Sequence, residues 1–298
     1  MSAATGVAGE PLAYPLSRAA SVALVRAALE EDRAFDDATT LAVVPASARA
    51  SAVMVARSPG VIAGLPLAEI AFELLDAATE CRALVRDGAH VAAGAPVLEI
   101  EGSARALLSA ERVALNFAQR LLGIATLTAR YVSAVRGTSA RILDTRKTTP
   151  GFRALEKYAV RCGGGTNHRA DLAAAMLIKD NHLEALGGDI ALAVRRAREH
   201  APAGIRVEVE CDTREQVARA LDAGADAILL DNMSPPEMRS CVELVHGAAI
   251  VEASGGITLE RVRAVAETGV DWISVGALTH SVPALDLALD FRAAGTTP

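Results

Sequence analysis

The sequence predicts an α/β protein in two parts, an N-terminal α+β unit followed by a parallel α/β barrel. Three observations predict it. After Arg141 six short apolar runs recur at intervals of roughly 20 to 35 residues, the rhythm of strands alternating with helices in a sheet covered on both faces. Polar or glycine residues follow these runs immediately, so their chemistry gathers at the carboxyl ends of the strands, where barrels carry their sites. Before residue 100, by contrast, short strands and helices alternate irregularly and glycines punctuate them.

In chain order, the first ten residues are small and polar and are expected to be loose. Ser17 to Glu31 reads as a helix with Val22, Leu24, Val25 and Leu29 apolar. Strands are expected at Ala50–Arg57, Val61–Ala63, Cys81–Val85 and Val97–Ile100, with a helix from about Pro66 to Ala77 between them. The stretch from Asp87 to Glu101 resembles the hairpins of biotinyl and lipoyl carrier domains. A carrier needs a lysine for attachment, and no lysine precedes residue 147, so the likeness is one of shape.

From Ser103 to about Val135 one long helix, or two in series, is expected. Leu108, Leu115 and Leu122 recur every seven residues as a buried stripe, and Arg112 and Gln119 fall on the same face. A charge on a buried stripe needs a partner. Arg112 either snorkels or pairs locally, or it reaches a ligand site, including one in a neighbouring subunit. The barrel strands expected next are Arg141–Leu143, Ala175–Ile178, Arg206–Val209, Ala227–Leu230, Ala249–Val251 and Trp272–Val275, followed by Asp144, Lys179, Glu210, Asp231, Glu252 and Gly276.

The charge pattern narrows the ligand. The chain has three lysines against twenty-seven arginines, and Lys147, Lys157 and Lys179 all lie in one short stretch. Between Arg141 and His182 eight basic residues face four acids, in a protein whose net charge is −6. A local basic island suits a small anion, whereas nucleic acid would call for a broad basic face with stacking aromatics, and only nine aromatic residues occur. No apolar run reaches the length of a membrane span, and the N-terminus lacks a secretory pattern. Cys81, Cys162, Cys211 and Cys241 are scattered without a CxxC, which fits a reducing cytoplasm and no structural zinc.

Several segments carry the chemistry. Asp144-Thr145-Arg146-Lys147-Thr148-Thr149-Pro150 offers two cations and several hydroxyls to an anion rich in oxygen. Gly163-Gly164-Gly165 delivers Asn167-His168-Arg169, and a triple glycine implies either close backbone approach or loop movement. Lys179 at a strand end could form a Schiff base or act as a plain cation. Glu210 and Asp231 are paired carboxylates suited to magnesium held through substrate and water. Ser254-Gly255-Gly256 and Gly276-Ala277-Leu278-Thr279-His280 are glycine turns where barrels bind phosphate on backbone N–H groups. Lys157 has no comparable context, and a pairing with an acid on its own helix is the plain expectation for it.

Taken together these motifs closely resemble the quinolinate phosphoribosyltransferase family, also called nicotinate-nucleotide pyrophosphorylase (carboxylating). They run in the family's order from Glu111-Arg112, Asn116 and Gln119-Arg120-Leu121 through Asp144-Thr145-Arg146-Lys147-Thr148, Asn167-His168-Arg169 and Lys179-Asp180-Asn181-His182. They continue through Glu208-Val209-Glu210, Leu230-Asp231-Asn232 and Ser254-Gly255-Gly256 to the Gly276–His280 turn. Two departures occur at usual glycine positions, Asp171 and Asp36.

The resemblance implies a hammerhead-like first domain over 1–120, an incomplete barrel over 121–280, and C-terminal helices over 281–298 packing back on the first domain. It implies a cytoplasmic homodimer, open to higher assembly, with sites shared between subunits. The implied substrates are quinolinate and phosphoribosyl pyrophosphate, with Mg2+ held by Glu210 and Asp231. Arg112, Arg146, His168, Arg169 and Lys179 would bind the two carboxylates of quinolinate. Lys147, with Thr145 beside it, would meet the phosphoribosyl donor, and Lys147, Lys179, Glu210 and Asp231 would carry the catalysis. Ser254, Gly255, Gly256, Gly276 and Ala277, with Leu278 and His280, would line the phosphate end. No protein nucleophile is needed, which disfavours a Schiff base on Lys179. The competing expectations are a related phosphoribosyltransferase acting on nicotinate and a non-catalytic homologue that only binds a phosphate ligand.

Overall fold

A computed structural model describes residues 12–293. In chain order the elements are α1 (Arg18–Glu31), a 3-10 turn (Ala34–Asp36), α2 (Ala38–Val43), β1 (Arg49–Ala56), β2 (Gly60–Val61), α3 (Leu65–Leu75), β3 (Glu80–Ala83), β4 (His90–Val91), β5 (Pro96–Ser103) and α4 (Ala104–Ala134). They continue with β6 (Arg141–Leu143), α5 (Arg153–Cys162), β7 (Met176–Ile178), α6 (Asp180–Glu184), α7 (Ile190–His200), β8 (Val207–Cys211), α8 (Arg214–Asp222) and β9 (Ala227–Asp231). The last are α9 (Pro235–Val245), β10 (Ile250–Ser254), α10 (Val262–Ala266), β11 (Trp272–Ser274), α11 (Ala277–His280) and β12 (Leu287–Ala293). The chain divides into two compact units, one reaching to Leu122 and resuming at Leu285, the other Gly123–Ala284.

In the first unit an antiparallel sheet runs β12-β1-β5-β3. Strand β1 alternates as a one-sided sheet requires: Ala50, Ala52, Met54 and Ala56 are buried, and its other face is partly open towards the strand's start. Helix α1 starts where the Ser17 hydroxyl accepts the Ala20 N–H (3.2 Å), and α2 where Asp37 accepts from Thr40 (3.0 Å). Asp36 forms an exposed ion pair with Arg33, at 3.4 Å.

Two expectations fail here. The C-terminal segment does return to the first unit, but as a strand: Leu287–Ala293 is β12, in register with β1 from Ala56↔Leu287 to Ala50↔Ala293. The expected helices over 281–298 are absent among the described residues, and residues 294–298 and the first ten lie outside them. The second failure concerns α4. It is one continuous helix, as one of the two expectations had it, and Leu115 and Leu122 are buried as expected, but the helix also buries Leu107, Ala110, Ala114, Ala118, Leu121 and Ala125, spaced at three and four residues. A strict seven-residue spacing drifts around a 3.6-residue helix. Leu108 is accordingly half-buried and Arg112 exposed. Arg112 therefore does not interrupt a buried stripe. Gln119 is half-buried, and its Nε2 donates to the Leu287 carbonyl (2.9 Å).

The second unit holds a six-stranded parallel sheet in the order β6-β11-β10-β9-β8-β7. Consecutive strands β6 and β7 occupy opposite edges, so the cyclic order of a barrel is complete but the β6–β7 seam is not hydrogen-bonded. All six strands fall where the apolar runs predict them, with ends that agree within one or two residues except that β10 runs three residues further, to Ser254. Along β8, Val207 and Val209 are fully buried and alternate with Glu208 and Glu210. Helices α7, α8 and α9 pack successively, started by Asp189, by the Thr213–Gln216 box and by the Ser234–Glu237 box.

Candidate active site

A cavity of ≈ 560 Å³ opens at the carboxyl ends of these strands. Thr145, Arg146, Lys147, His168, Arg169, Lys179, Glu210, Asp231, Ser254, Gly255 and Gly256 all line it, as their sequence motifs predict. So do Leu177, Leu229, Asn232, Glu252 and Ser274. Parallel register aligns them in rows, Glu210 beside Leu229 and Leu229 beside Glu252, with Asp231 beside Ser254 one step further along.

Gly276, Ala277, Leu278 and His280 do not line this cavity. Leu278 is fully buried, so its side chain packs in the core rather than facing a ligand. The neighbouring Thr279 donates its hydroxyl to the Lys147 carbonyl (2.7 Å), which ties that turn to the lysine loop. A Cβ on Gly276 would stand 3.3 Å from the Lys147 side chain. Arg112 belongs to the first unit, is exposed there, and does not line the cavity.

The cavity is built for an anion. Arg146 Nε is buried and has no hydrogen-bond partner among the described residues. An unpaired buried guanidinium N–H is costly, and a ligand oxygen would satisfy it. Arg169 is lowered from the ordinary arginine value by burial and then by the Arg146 guanidinium beside it. Two like charges held together need a shared counter-charge. Lys179 Nζ contacts Glu210 Oε2, so these strand-end residues restrain each other.

His168 is gripped by two glutamates. Its Nε2 lies 3.4 Å from Glu208 Oε2 and 3.3 Å from Glu252 Oε2, both carboxylates being almost wholly buried. Burial alone would lower the imidazolium; the Glu208 and Glu252 carboxylates outweigh it and push it up to about 9. Nδ1 meets the Arg169 N–H at 2.7 Å, a contact that only a singly protonated ring can accept. That contact leaves the ring's proton on Nε2, facing the two carboxylates, and protonating Nδ1 as well would require the Arg169 N–H to turn away. Burial raises Glu208, against the imidazole.

Sequence reasoning did not give Glu208 and Glu252 this role. The signal was the alternation Val207-Glu208-Val209-Glu210, which points both glutamates to one face of β8. These three side chains also form a set that could hold a metal ion, with ligand atoms within 4.8 Å of one another. A buried imidazole with two glutamates is a poor match for magnesium, which prefers oxygens and keeps several waters. Glu210 and Asp231, at the open cavity, offer oxygens only and fit it better.

Lys157 departs from its plain expectation. It is buried and pairs with Asp144 at the end of β6 rather than with an acid on its own helix, and it does not line the cavity. The triple glycine serves close approach. A Cβ on Gly163 would stand 2.3 Å from the Ala125 carbonyl oxygen, one on Gly165 would stand 2.7 Å from Val160, and Gly164 has φ +84°. Gly255 is as constrained, since at φ +87° its Cβ would meet Asn232 Oδ1 at 2.2 Å. Asp171, at a usual glycine position, accepts the N–H groups of Ala173 and Ala174 (2.9 Å each) and so closes its own turn. Among the described residues the four cysteines are free, and no helix is long and apolar enough to cross a membrane.

Comparison with known proteins agrees with this geometry. The family model for the quinolinate phosphoribosyl transferase N-terminal domain matches residues 37–122, and that for the C-terminal domain residues 124–290. The matches meet where the compact units divide. The chain is 46% identical over 272 residues to the nicotinate-nucleotide pyrophosphorylase [carboxylating] of Mycobacterium leprae, covering 89% of this chain and 95% of that one. It is 40% identical to the chloroplastic enzyme of the same name from Arabidopsis thaliana, over 90% of this chain and 81% of the other. The solved nicotinate-nucleotide pyrophosphorylase of Francisella tularensis superposes with a TM-score of 0.88 at 37% identity, covering 95% and 99% of the two chains. With both domain models matched end to end, the chain belongs to the quinolinate phosphoribosyltransferase family.

Proposed function

We propose that the protein converts quinolinate and phosphoribosyl pyrophosphate to nicotinate mononucleotide, pyrophosphate and carbon dioxide, a step of NAD biosynthesis. The observation that carries this reading is the meeting of Arg146, Arg169 and the carboxylate-backed His168 with Glu210 and Asp231 in one cavity. Three cations suit a dianion with adjacent carboxylates, for which an unpaired guanidinium N–H is the strongest single anchor. Leu177 and Leu229 give an aromatic ring an apolar wall.

In this reading the chain works by positioning and electrostatics. The pyridine nitrogen attacks the anomeric carbon as its bond to pyrophosphate breaks, the bonding pair leaving on the pyrophosphate oxygen. Lys147 neutralises that oxygen's charge. Glu210 and Asp231 would hold magnesium through substrate and water, and the ion would supply further charge neutralisation on the pyrophosphate. Lys179 is released from Glu210 to meet a carboxylate. Ser254, Gly255 and Gly256 face the 5′-phosphate. The 2-carboxylate then leaves as carbon dioxide, its bonding pair staying on C2 as a carbanion that the adjacent cationic nitrogen stabilises, and a proton fills that position. Purified protein with Mg2+ and phosphoribosyl pyrophosphate should form the nucleotide from quinolinate and not from nicotinate, and chelation of the metal should abolish the reaction. Nucleotide formed from nicotinate alone refutes the reading.

The active assembly in this reading is a homodimer in the cytoplasm, in which Arg112 completes the partner copy's site. Its exposure leaves it free to do so. Arg112→Ala and Lys147→Ala, each inactive alone, should then regain about a quarter of wild-type activity when co-expressed, because about half of the dimers are mixed and each mixed dimer carries one intact site in two. No regain would show that each chain supplies its own arginine.

A further inference from the structure

The open seam of the barrel is closed by side chains. Between β6 and β7 a single bridge pairs Leu143 with Thr166, through Thr166 N–H to the Ile142 carbonyl (2.8 Å) and Asp144 N–H to the Thr166 carbonyl (3.2 Å). Past that bridge no strand among the described residues lies along the edge of β6 opposite β11, yet Asn167, His168 and Arg169 must be held firmly, since two of them line the cavity. The buried carboxylate of Asp144 accepts the His168 N–H through Oδ1 (2.9 Å) and the Asn167 amide through Oδ2 (2.5 Å). Lys157 Nζ, on α5, donates to the same carboxylate and to the His168 carbonyl (3.1 Å). The Asn167 amide also donates to the Lys157 carbonyl, 2.8 Å away. Both backbone groups of His168 are thus taken by a buried ion pair, which does here what a neighbouring strand does elsewhere.

We propose that Asp144 and Lys157 are positioning residues, whose buried pair fixes the backbone at Asn167–Arg169 so that the His168 ring and the Arg169 guanidinium are held in place at the cavity that takes the anionic substrate. Neither touches the cavity. Stability alone is a weak reason for such a pair, because well-packed apolar replacements of buried ion pairs are often neutral or better. Geometry is the stronger reason. Two charges on rigid elements, β6 and α5, fix a loop that has no ladder of its own. The inference deepens the assignment of His168 and Arg169 to the dicarboxylate substrate and rests on it.

The test compares wild type with the double variant Asp144→Asn/Lys157→Met, which removes both charges together, after circular dichroism and thermal melting have verified folding. The KM for quinolinate, and the Kd for benzene-1,2-dicarboxylate, should rise roughly ten- to hundred-fold, as small misplacements of binding groups do. The KM for phosphoribosyl pyrophosphate should move by less than about threefold, a split that a general loss of structure would not give. A folded variant with both constants unchanged, or both raised equally, overturns the positioning role. Asn167→Ala covers the case in which the double variant does not fold. It leaves the ion pair intact, and it should raise the dicarboxylate Kd alone, by about three- to tenfold; no rise overturns the role. The dicarboxylate binding measurement needs no turnover. Wild type that forms no nucleotide from quinolinate therefore refutes the assigned reaction, while an unchanged Kd in a folded variant refutes the positioning role.

Discussion

Arg146→Ala should lower kcat/KM for quinolinate by about 10²- to 10⁴-fold, from the loss of two charge-assisted hydrogen bonds of roughly 1.5–3 kcal/mol each. The expectation follows from the one cavity-lining guanidinium with a buried N–H that nothing among the described residues accepts. Its neighbour Arg169 carries a like charge, and its Nη1 is already committed to the Ala175 carbonyl (2.9 Å), so it cannot fully replace the lost fork. Lysine at position 146 should not rescue, because a point charge reproduces the charge but not the planar pair of donors. Steady-state rates with quinolinate varied at saturating phosphoribosyl pyrophosphate measure the effect. A loss under about threefold would remove Arg146 from the carboxylate pocket.

The second large effect is a pH dependence set by His168. Its charged form persists until about pH 9, because Glu208 and Glu252 outweigh the burial that opposes it. A raised pKa means the cation is present below that value and lost as the pH rises through it. The kcat/KM for quinolinate should therefore stay level from about pH 6.5 to 8.5 and fall above about 9. The same group contributes to folding stability fully below its unfolded pKa of about 6.5, and that contribution disappears through about 9. In Glu208→Gln/Glu252→Gln the causes that raise the pKa are gone and burial remains, so the break should move below about 6.5. At pH 8 that variant should bind benzene-1,2-dicarboxylate at least roughly tenfold more weakly than wild type. A pH profile unchanged by the double substitution would show that the two carboxylates do not govern the imidazole.

What could be read in the sequence follows from periodicity. Apolar runs ending in Lys179, Glu210 and Asp231 announce parallel strands and their mouth, because position at a strand end converts directly into position in a barrel. The glycines before His168 announce close approach for the same local reason. Partnerships were not legible. Lys157 meets Asp144 thirteen residues away, and His168 meets Glu252 across the barrel interior, and no spacing rule connects such pairs. Heptad counting misplaced Arg112, because the buried stripe of α4 keeps the 3.6-residue period. The C-terminal strand escaped notice although Leu285-Asp286-Leu287-Ala288-Leu289-Asp290 alternates weakly. Its edge position and its partner β1, more than two hundred residues earlier, decide its conformation.

The central claim is that the bound pyridine becomes quaternised before it loses its 2-carboxylate. Quinolinate labelled in either the 2- or the 3-carboxylate measures this directly. With Mg2+ and phosphoribosyl pyrophosphate, the account predicts labelled carbon dioxide from the 2-label alone, in equal amount to the nucleotide formed, and none when phosphoribosyl pyrophosphate is omitted. Release of label without the phosphoribosyl donor, or from the 3-position, would contradict it.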